Sequence, residues 1–131
     1  MATATYVKGE KSTIDYTCTG AVVVDEIRVF GSTNAAGCSV GVAQVAGATG
    51  DVIACSIEGV YTMPAATGAV IVQGETVNWD SSIAKVEDNA HTATGGDVED
   101  FGIAMDAKAA AGTATTVVVK LLPGNGAYAT S

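Results

Sequence analysis

Apolar and polar residues alternate with a period of two along most of this chain, in short runs broken by glycine-containing turns. In Ser12-Thr13-Ile14-Asp15-Tyr16-Thr17, Ile14 and Tyr16 share one face and Thr13, Asp15 and Thr17 the other, as in a half-buried strand. Residues 21–24 and 27–30 are apolar runs separated by Asp25-Glu26, which predicts a tight hairpin. Residues 39–45 predict a strand whose ends Gly37, Gly41 and Gly47 leave free to bend. Over residues 51–58, Ile53, Cys55 and Ile57 oppose Val52, Ala54 and Ser56, so both faces can be buried and a central strand is expected.

The back half continues the pattern. Gly59-Val60-Tyr61-Thr62-Met63-Pro64 reads as a strand closed by Pro64, which starts a turn or a short helical piece. Residues 70–80 return to strand through Gln73-Gly74-Glu75, and residues 85–87 form a short strand. Residues 88–100, rich in Thr, Gly and Asp, predict a flexible loop. Residues 101–106 and 115–122 are the last strands, with Lys108-Ala109-Ala110-Ala111 long enough for one helical turn but not for a helix. Many short strands joined by Gly-rich turns predict an all-β fold, a compact antiparallel β-barrel or sandwich. The expected organisation is an extended N-terminal arm over residues 1–11, one β domain over 12–123 and a flexible tail over 124–131.

Composition adjusts this picture. The chain has 131 residues, enough for one core, but only 5% are aromatic and 15% charged against 48% hydrophobic, so the core is built from small side chains. An outside rich in Ala, Val, Thr and Gly predicts burial against other chains and hence an oligomer. A net charge of −8 repels phosphate backbones and anionic lipid, which argues against nucleic acid and membrane surfaces as partners. The apolar runs are far shorter than the roughly 20 residues of a membrane helix, and the first residues lack a signal-peptide pattern, so synthesis in the cytoplasm is expected. Cys18, Cys38 and Cys55 are odd in number and form no CxxC pair, which predicts buried free thiols rather than disulfides or a zinc site.

No constellation for catalysis stands out. His91 is the sole histidine and lies in the polar loop without an evident nucleophile or orienting acid. Asp97, Glu99, Asp100 and Asp106 form an acidic cluster that lacks the spacing of a calcium loop, so a solvated loop is expected. Neither GxxxxGK[ST] nor GxGxxG occurs. Trp79 alternates with Asn78 and Asp80 and is expected in the core. The sequence therefore predicts no catalytic residue, no cofactor and no metal.

The order of motifs carries more. Glu58-Gly59-Val60-Tyr61-Thr62-Met63-Pro64, then Gln73-Gly74-Glu75-Thr76-Val77-Asn78-Trp79-Asp80, Lys85-Val86, Phe101-Gly102-Ile103-Ala104-Met105-Asp106-Ala107 and Thr116-Val117-Val118-Val119-Lys120-Leu121 resemble the phage capsid cement (head decoration) protein family. The resemblance covers roughly residues 39–122; the front third looks like additional β material. It implies a non-enzymatic virion protein, made in the host bacterial cytoplasm, that binds the outer surface of a phage head. There it would clamp neighbouring subunits of the major capsid protein, commonly as a homotrimer, with a dimer as the other option. Such a protein works through shallow contacts multiplied by symmetry. The polar extended segment Ala2, Thr3, Ala4, Thr5, Tyr6, Val7 and Lys8 is the expected capsid-binding arm, able to add a strand to a coat-protein sheet. Two rival readings are a self-assembling tail-tube or filament subunit, and a metal-dependent enzyme using His91, Asp97, Glu99 and Asp100.

Overall fold

A computed structural model describes residues 2–31, 37–109 and 114–129. Among these, the strands are β1 (Thr5–Lys8), β2 (Thr13–Thr17), β3 (Ile27–Phe30), β4 (Ser39–Ala43), β5 (Val52–Ser56), β6 (Gly59–Pro64), β7 (Thr76–Asp80), β8 (Lys85–Asp88), β9 (Val98–Ala104), β10 (Thr116–Leu121) and β11 (Ala127–Tyr128). They form two antiparallel sheets packed as a sandwich, in the orders β2-β5-β4-β3 and β1-β6-β10-β9-β7-β8, with β11 beside β9. The expected all-β class holds, in its sandwich form rather than as a closed barrel.

Alternation decides which side chains meet. Ile27, Val40 and Val42 from the smaller sheet pack with Tyr61, Met63, Val77, Trp79, Val86, Phe101, Val117 and Val119 from the larger one to form the main core. Trp79 stands edge-on to Phe101 with ring centroids 6.3 Å apart, the core position its alternation predicts. The opposite face of the smaller sheet buries a second cluster of Cys18, Val22, Ala43, Ile53 and Cys55 under Tyr16 and Phe30. With β5 paired to β2 on one side and β4 on the other, the central strand is where the two-sided pattern puts it.

The two sheets are built on one plan. The neighbours β2-β5-β4-β3 correspond in order and direction to β6-β10-β9-β7. The bonds between elements also repeat: Asp25 N–H to the Ala43 carbonyl at 2.8 Å and Ala43 N–H to Glu26 at 2.9 Å match Gly74 to Ala104 and Ala104 to Glu75, both 2.8 Å. The reciprocal Val22 and Gly47 pair matches Ile71 and Lys108. Behind this lies a repeated sequence. Gly41-Val42-Ala43-Gln44-Val45-Ala46-Gly47-Ala48 aligns without a gap on Gly102-Ile103-Ala104-Met105-Asp106-Ala107-Lys108-Ala109. Thr19-Gly20-Ala21-Val22-Val23-Val24 aligns on Thr67-Gly68-Ala69-Val70-Ile71-Val72, the second copy having one more residue before its turn. The chain is thus a tandem duplication of a four-strand unit.

One turn recurs within this plan. At Val23 to Glu26, Ala48 to Asp51, Val72 to Glu75 and Thr94 to Asp97, the last residue's N–H bonds the first residue's carbonyl at 2.9–3.2 Å. In each, that last residue's carboxylate also accepts the first residue's N–H at 2.9–3.3 Å. The third position has φ of +68° at Asp25, +91° at Gly50, +91° at Gly74 and +94° at Gly96. Four of the acidic residues are therefore turn caps. Gly74→Ala is expected to cost about 1 kcal/mol, because alanine must enter the left-handed region there. That corresponds to a fall of about 4 °C in Tm, measurable by circular dichroism.

These turns account for several departures from the sequence expectation. Residues 21–24 do not form a hairpin with β3, because Asp25 takes up the turn and Val22 pairs with Gly47 instead. Residues 70–75 likewise run into a turn, and strand resumes at Thr76. Val98 to Asp100, read as loop, belong to β9, because the cap on Asp97 starts the strand three residues earlier than the apolar run suggests. Residues 127 and 128, read as tail, pair with Val98 and Glu99 as β11. Lys108, placed in a helical turn, pairs with Ile71; Ala110 and Ala111 lie outside the described residues.

Candidate functional site

The expected binding arm is extended, and it is laid into the body of the protein. The Ala2 carbonyl accepts the Ile27 N–H, and the Ala4 N–H donates to Asp25, both at 2.9 Å. Ala4 is buried, its methyl group small enough to sit in the main core beside the turn before β3. From Thr5 the segment crosses to the other half of the duplication, with Thr5, Tyr6 and Lys8 opposite Thr62, Tyr61 and Val60 of β6. Alternation decides the docking: Ala2 and Ala4 point inwards, while Thr5, Tyr6, Val7 and Lys8 are all exposed.

Strand β1 is the outermost strand of the larger sheet, so among the described residues one of its edges is unpaired. Its register shifts between Tyr6 and Lys8, which leaves Val7 in a bulge and 46% exposed. The Tyr6 ring lies edge-on to Tyr61 at 5.6 Å, its hydroxyl donates to the Gly9 carbonyl at 2.6 Å, and the Lys11 ammonium sits 4.1 Å above it. These contacts anchor Tyr6, and among the described residues the outer edge of the strand has no partner. A groove of about 350 Å³ lined by Ala2, Thr3, Pro64, Ile83, Ala84 and Lys85 runs beside it. A second, of about 380 Å³, is walled by Lys8, Glu10, Glu58, Met105 and Lys120. Neither lining contains a histidine, cysteine or serine.

Exposed valines mark a further surface. Val23 and Val24 of the first turn and Val45 after β4 are exposed, and the pairing of Val22 with Gly47 brings them to one end of the smaller sheet. Val52, Val70, Val72 and Ile83 are also exposed. These residues give the apolar outside that composition predicts.

The polar loop is more ordered than its composition suggests. His91 Nε2 lies 3.5 Å from both Asp80 Oδ2 and Asp97 Oδ2, and its Nδ1 lies 3.9 Å from Glu87 Oε2. Asp97, fully buried, also accepts the N–H groups of Thr94 and Ser81 at 2.9 and 3.0 Å. Of the four residues grouped by sequence, His91 and Asp97 meet, whereas Glu99 is exposed on β9 and Asp100 is turned towards Thr76 Oγ1 at 2.7 Å. Asp106 accepts the Val118 N–H at 3.0 Å. Sequence reading missed Asp80 as the third member. The signal was in Val77-Asn78-Trp79-Asp80, where alternation puts Asn78 and Asp80 on one face, and Asn78 indeed donates to the His91 carbonyl at 3.3 Å. Burial pushes the Glu87 carboxyl above the usual range, with His91 opposing the shift.

Cys18, Cys38 and Cys55 are free and buried, as expected. Burial pushes the Cys38 and Cys55 thiols up, which makes the reactive thiolate scarce near neutral pH. All three thiols are expected to react with Ellman's reagent at pH 7.5 at least a hundredfold more slowly than in guanidinium; fast labelling of the native protein would contradict that burial.

A family model described as phage cement protein matches residues 7–121. The chain belongs to the phage cement protein family. Searches of curated proteins and of solved structures find no match. The family match starts in β1 and ends in β10, so both four-strand units lie inside it. The front third is therefore part of the family's domain and not additional material, and the duplication explains why it is β. Membership gives the chain a capsid-associated, capsid-stabilising structural role.

Proposed function

We propose that this protein binds the outer surface of a phage head and joins neighbouring major capsid protein subunits, without catalysing a reaction. The observation that carries the reading is the family match across both halves of the duplication. The open edge of β1 supports it. Residues 5–8 present backbone donors and acceptors from a stiff strand, so a coat-protein strand can add to them with little ordering cost. Ala2, Thr3 and Ala4 then act as the root of the contact and Thr5, Tyr6, Val7 and Lys8 as its edge.

The protein works as a homotrimer in this reading, with a dimer as the alternative, and the exposed valines supply the apolar contact area. Repetition around a symmetric shell turns a modest affinity per contact into a stable lattice. The acidic surface faces solvent, which favours the outside of the head over its DNA-filled interior. Co-sedimentation with expanded heads lacking decoration tests the proposal. Saturable binding to expanded heads is expected; protein that stays in the supernatant at micromolar concentration refutes it. Electron microscopy of the pure protein separates this from the tail-tube reading, which requires tubes or filaments without heads.

A further inference from the structure

We propose that Asp80, His91 and Asp97 form a binding site for a divalent transition-metal cation, with zinc the best fit. The three donors come from separate places in the chain: the end of β7, the loop after β8 and the turn before β9. Asp80 Oδ2, His91 Nε2 and Asp97 Oδ2 all lie within 4.8 Å of one another. The turn of Asp97 leads into β9, and the pairing of Trp79 with Val98 brings it beside Asp80. Among the described residues of the first four-strand unit none corresponds to His91 or to β8.

Distances favour a cation over a simple ion pair. A protonated imidazole bonded to a carboxylate draws it to about 2.7–2.9 Å, yet Nε2 stands 3.5 Å from each of two carboxylates. Ligands about 2.1 Å from a tetrahedral zinc are separated by about 3.4 Å, so the gap matches a shared metal.

Burial gives a second, independent reason. The Asp80 side chain is only 9% exposed. Its Oδ1 accepts Ser82 N–H and Oγ–H at 3.0 and 2.6 Å, and its Oδ2 faces His91 Nε2 at 3.5 Å. Two largely buried carboxylates on either side of one imidazole nitrogen call for a positive charge between them. Among the described residues, His91 is the sole group in ion-pair range of either Asp80 or Asp97.

The surroundings suit a metal. Asp97 is fixed by the Ser81 N–H on Oδ1 and by the Thr94 N–H and, at 3.4 Å, the Thr94 hydroxyl on Oδ2, which hold Oδ2 towards His91. Glu87 Oε2 lies 3.9 Å from Nδ1, on the side of the ring away from the two aspartates, and adds negative charge that favours a cation nearby. His91 is 25% exposed at the side chain, so an ion and a fourth ligand from water can enter. One nitrogen and two oxygens suit zinc before the harder cations, and two carboxylates balance its charge. The metal would tie β7, the loop after β8 and β9 together, a structural role in keeping with a protein that must resist force.

The test uses the whole chain, stripped with EDTA, dialysed and titrated with zinc chloride by calorimetry and thermal denaturation. Zinc at a hundredfold excess over its Kd is expected to raise Tm by about 5–10 °C. Cobalt is expected to give the visible absorption of a tetrahedral nitrogen and oxygen site. His91→Ala and Asp80→Asn should each weaken zinc binding at least tenfold; Asp80→Asn keeps the acceptor for Ser82, and circular dichroism confirms that both fold. A wild-type Tm indifferent to zinc overturns the proposal. So does an equal zinc response in His91→Ala, which would place the metal on the cysteines. So does a stability that depends on His91 through pH alone.

Discussion

Gly102→Ala is expected to lower Tm by about 10 °C, equivalent to about 3 kcal/mol. A Cβ at this position would lie 2.5 Å from Val119 Cγ1 and 2.8 Å from the Lys120 carbonyl oxygen. The valine can turn, but the carbonyl belongs to β10, which is in register with β9 through Ile103 opposite Lys120 and Gly102 opposite Leu121. Relief therefore requires the two central strands of the larger sheet to separate. Gly41 is the counterpart in the first unit, and its Cβ would meet Phe30 Cε2 at 2.8 Å and the Ser56 carbonyl at 3.0 Å. Phe30 is half-buried and can yield, so Gly41→Ala should cost less than Gly102→Ala. Paired urea titrations give the order, and a reversed order would contradict the register drawn for β9 and β10.

The second large effect concerns binding. Val7→Lys is expected to weaken attachment to expanded heads by at least tenfold, equivalent to about 1.4 kcal/mol per contact, while leaving Tm within about 2 °C. A lysine in the bulge of an edge strand blocks strand addition, since its charge must be desolvated as the partner approaches. Val7 is exposed and opposes no residue of β6, so the fold has little to lose. Val7→Thr, which keeps the β-branched shape, should bind nearly as well as wild type. Equal binding by Val7→Lys and wild type would move the contact off β1. Removing residues 2–8 is a poorer probe, because Ala2 and Ala4 bond the turn before β3 and their loss would loosen both halves.

Period-two alternation made the fold class legible, along with most strands and the core place of Trp79. What it could not convey was where the chain turns. Residues 21–24 and 70–75 are as apolar as strands, yet in each case a carboxylate, Glu26 or Glu75, caps a turn within four residues. Hydrophobicity does not register such a cap. The signal lay in the acidic residue after a glycine in Thr49-Gly50-Asp51, Gln73-Gly74-Glu75 and Gly95-Gly96-Asp97, and Asp25 hid the fourth example by standing where glycine stands elsewhere.

The duplication was also readable, in Gly41-Val42-Ala43 and Gly102-Ile103-Ala104 and in the two Thr-Gly-Ala runs. It makes the front third a copy of the back rather than an addition. The proposed binding segment was legible as extended polar chain, but its docking was not, because that depends on the methyl groups of Ala2 and Ala4 packing against the core and on an edge supplied by β6. His91 looked isolated because its partners lie eleven residues before it and six after it, brought close only by the pairing of β7 with β9.

Calorimetry of expanded, undecorated heads with and without the protein tests the central claim most directly. A ligand that binds only the closed shell stabilises it by linkage, so the temperature of head rupture should rise with protein concentration and level off at a fixed number of copies per head. A rupture temperature unchanged at saturating protein would contradict the account.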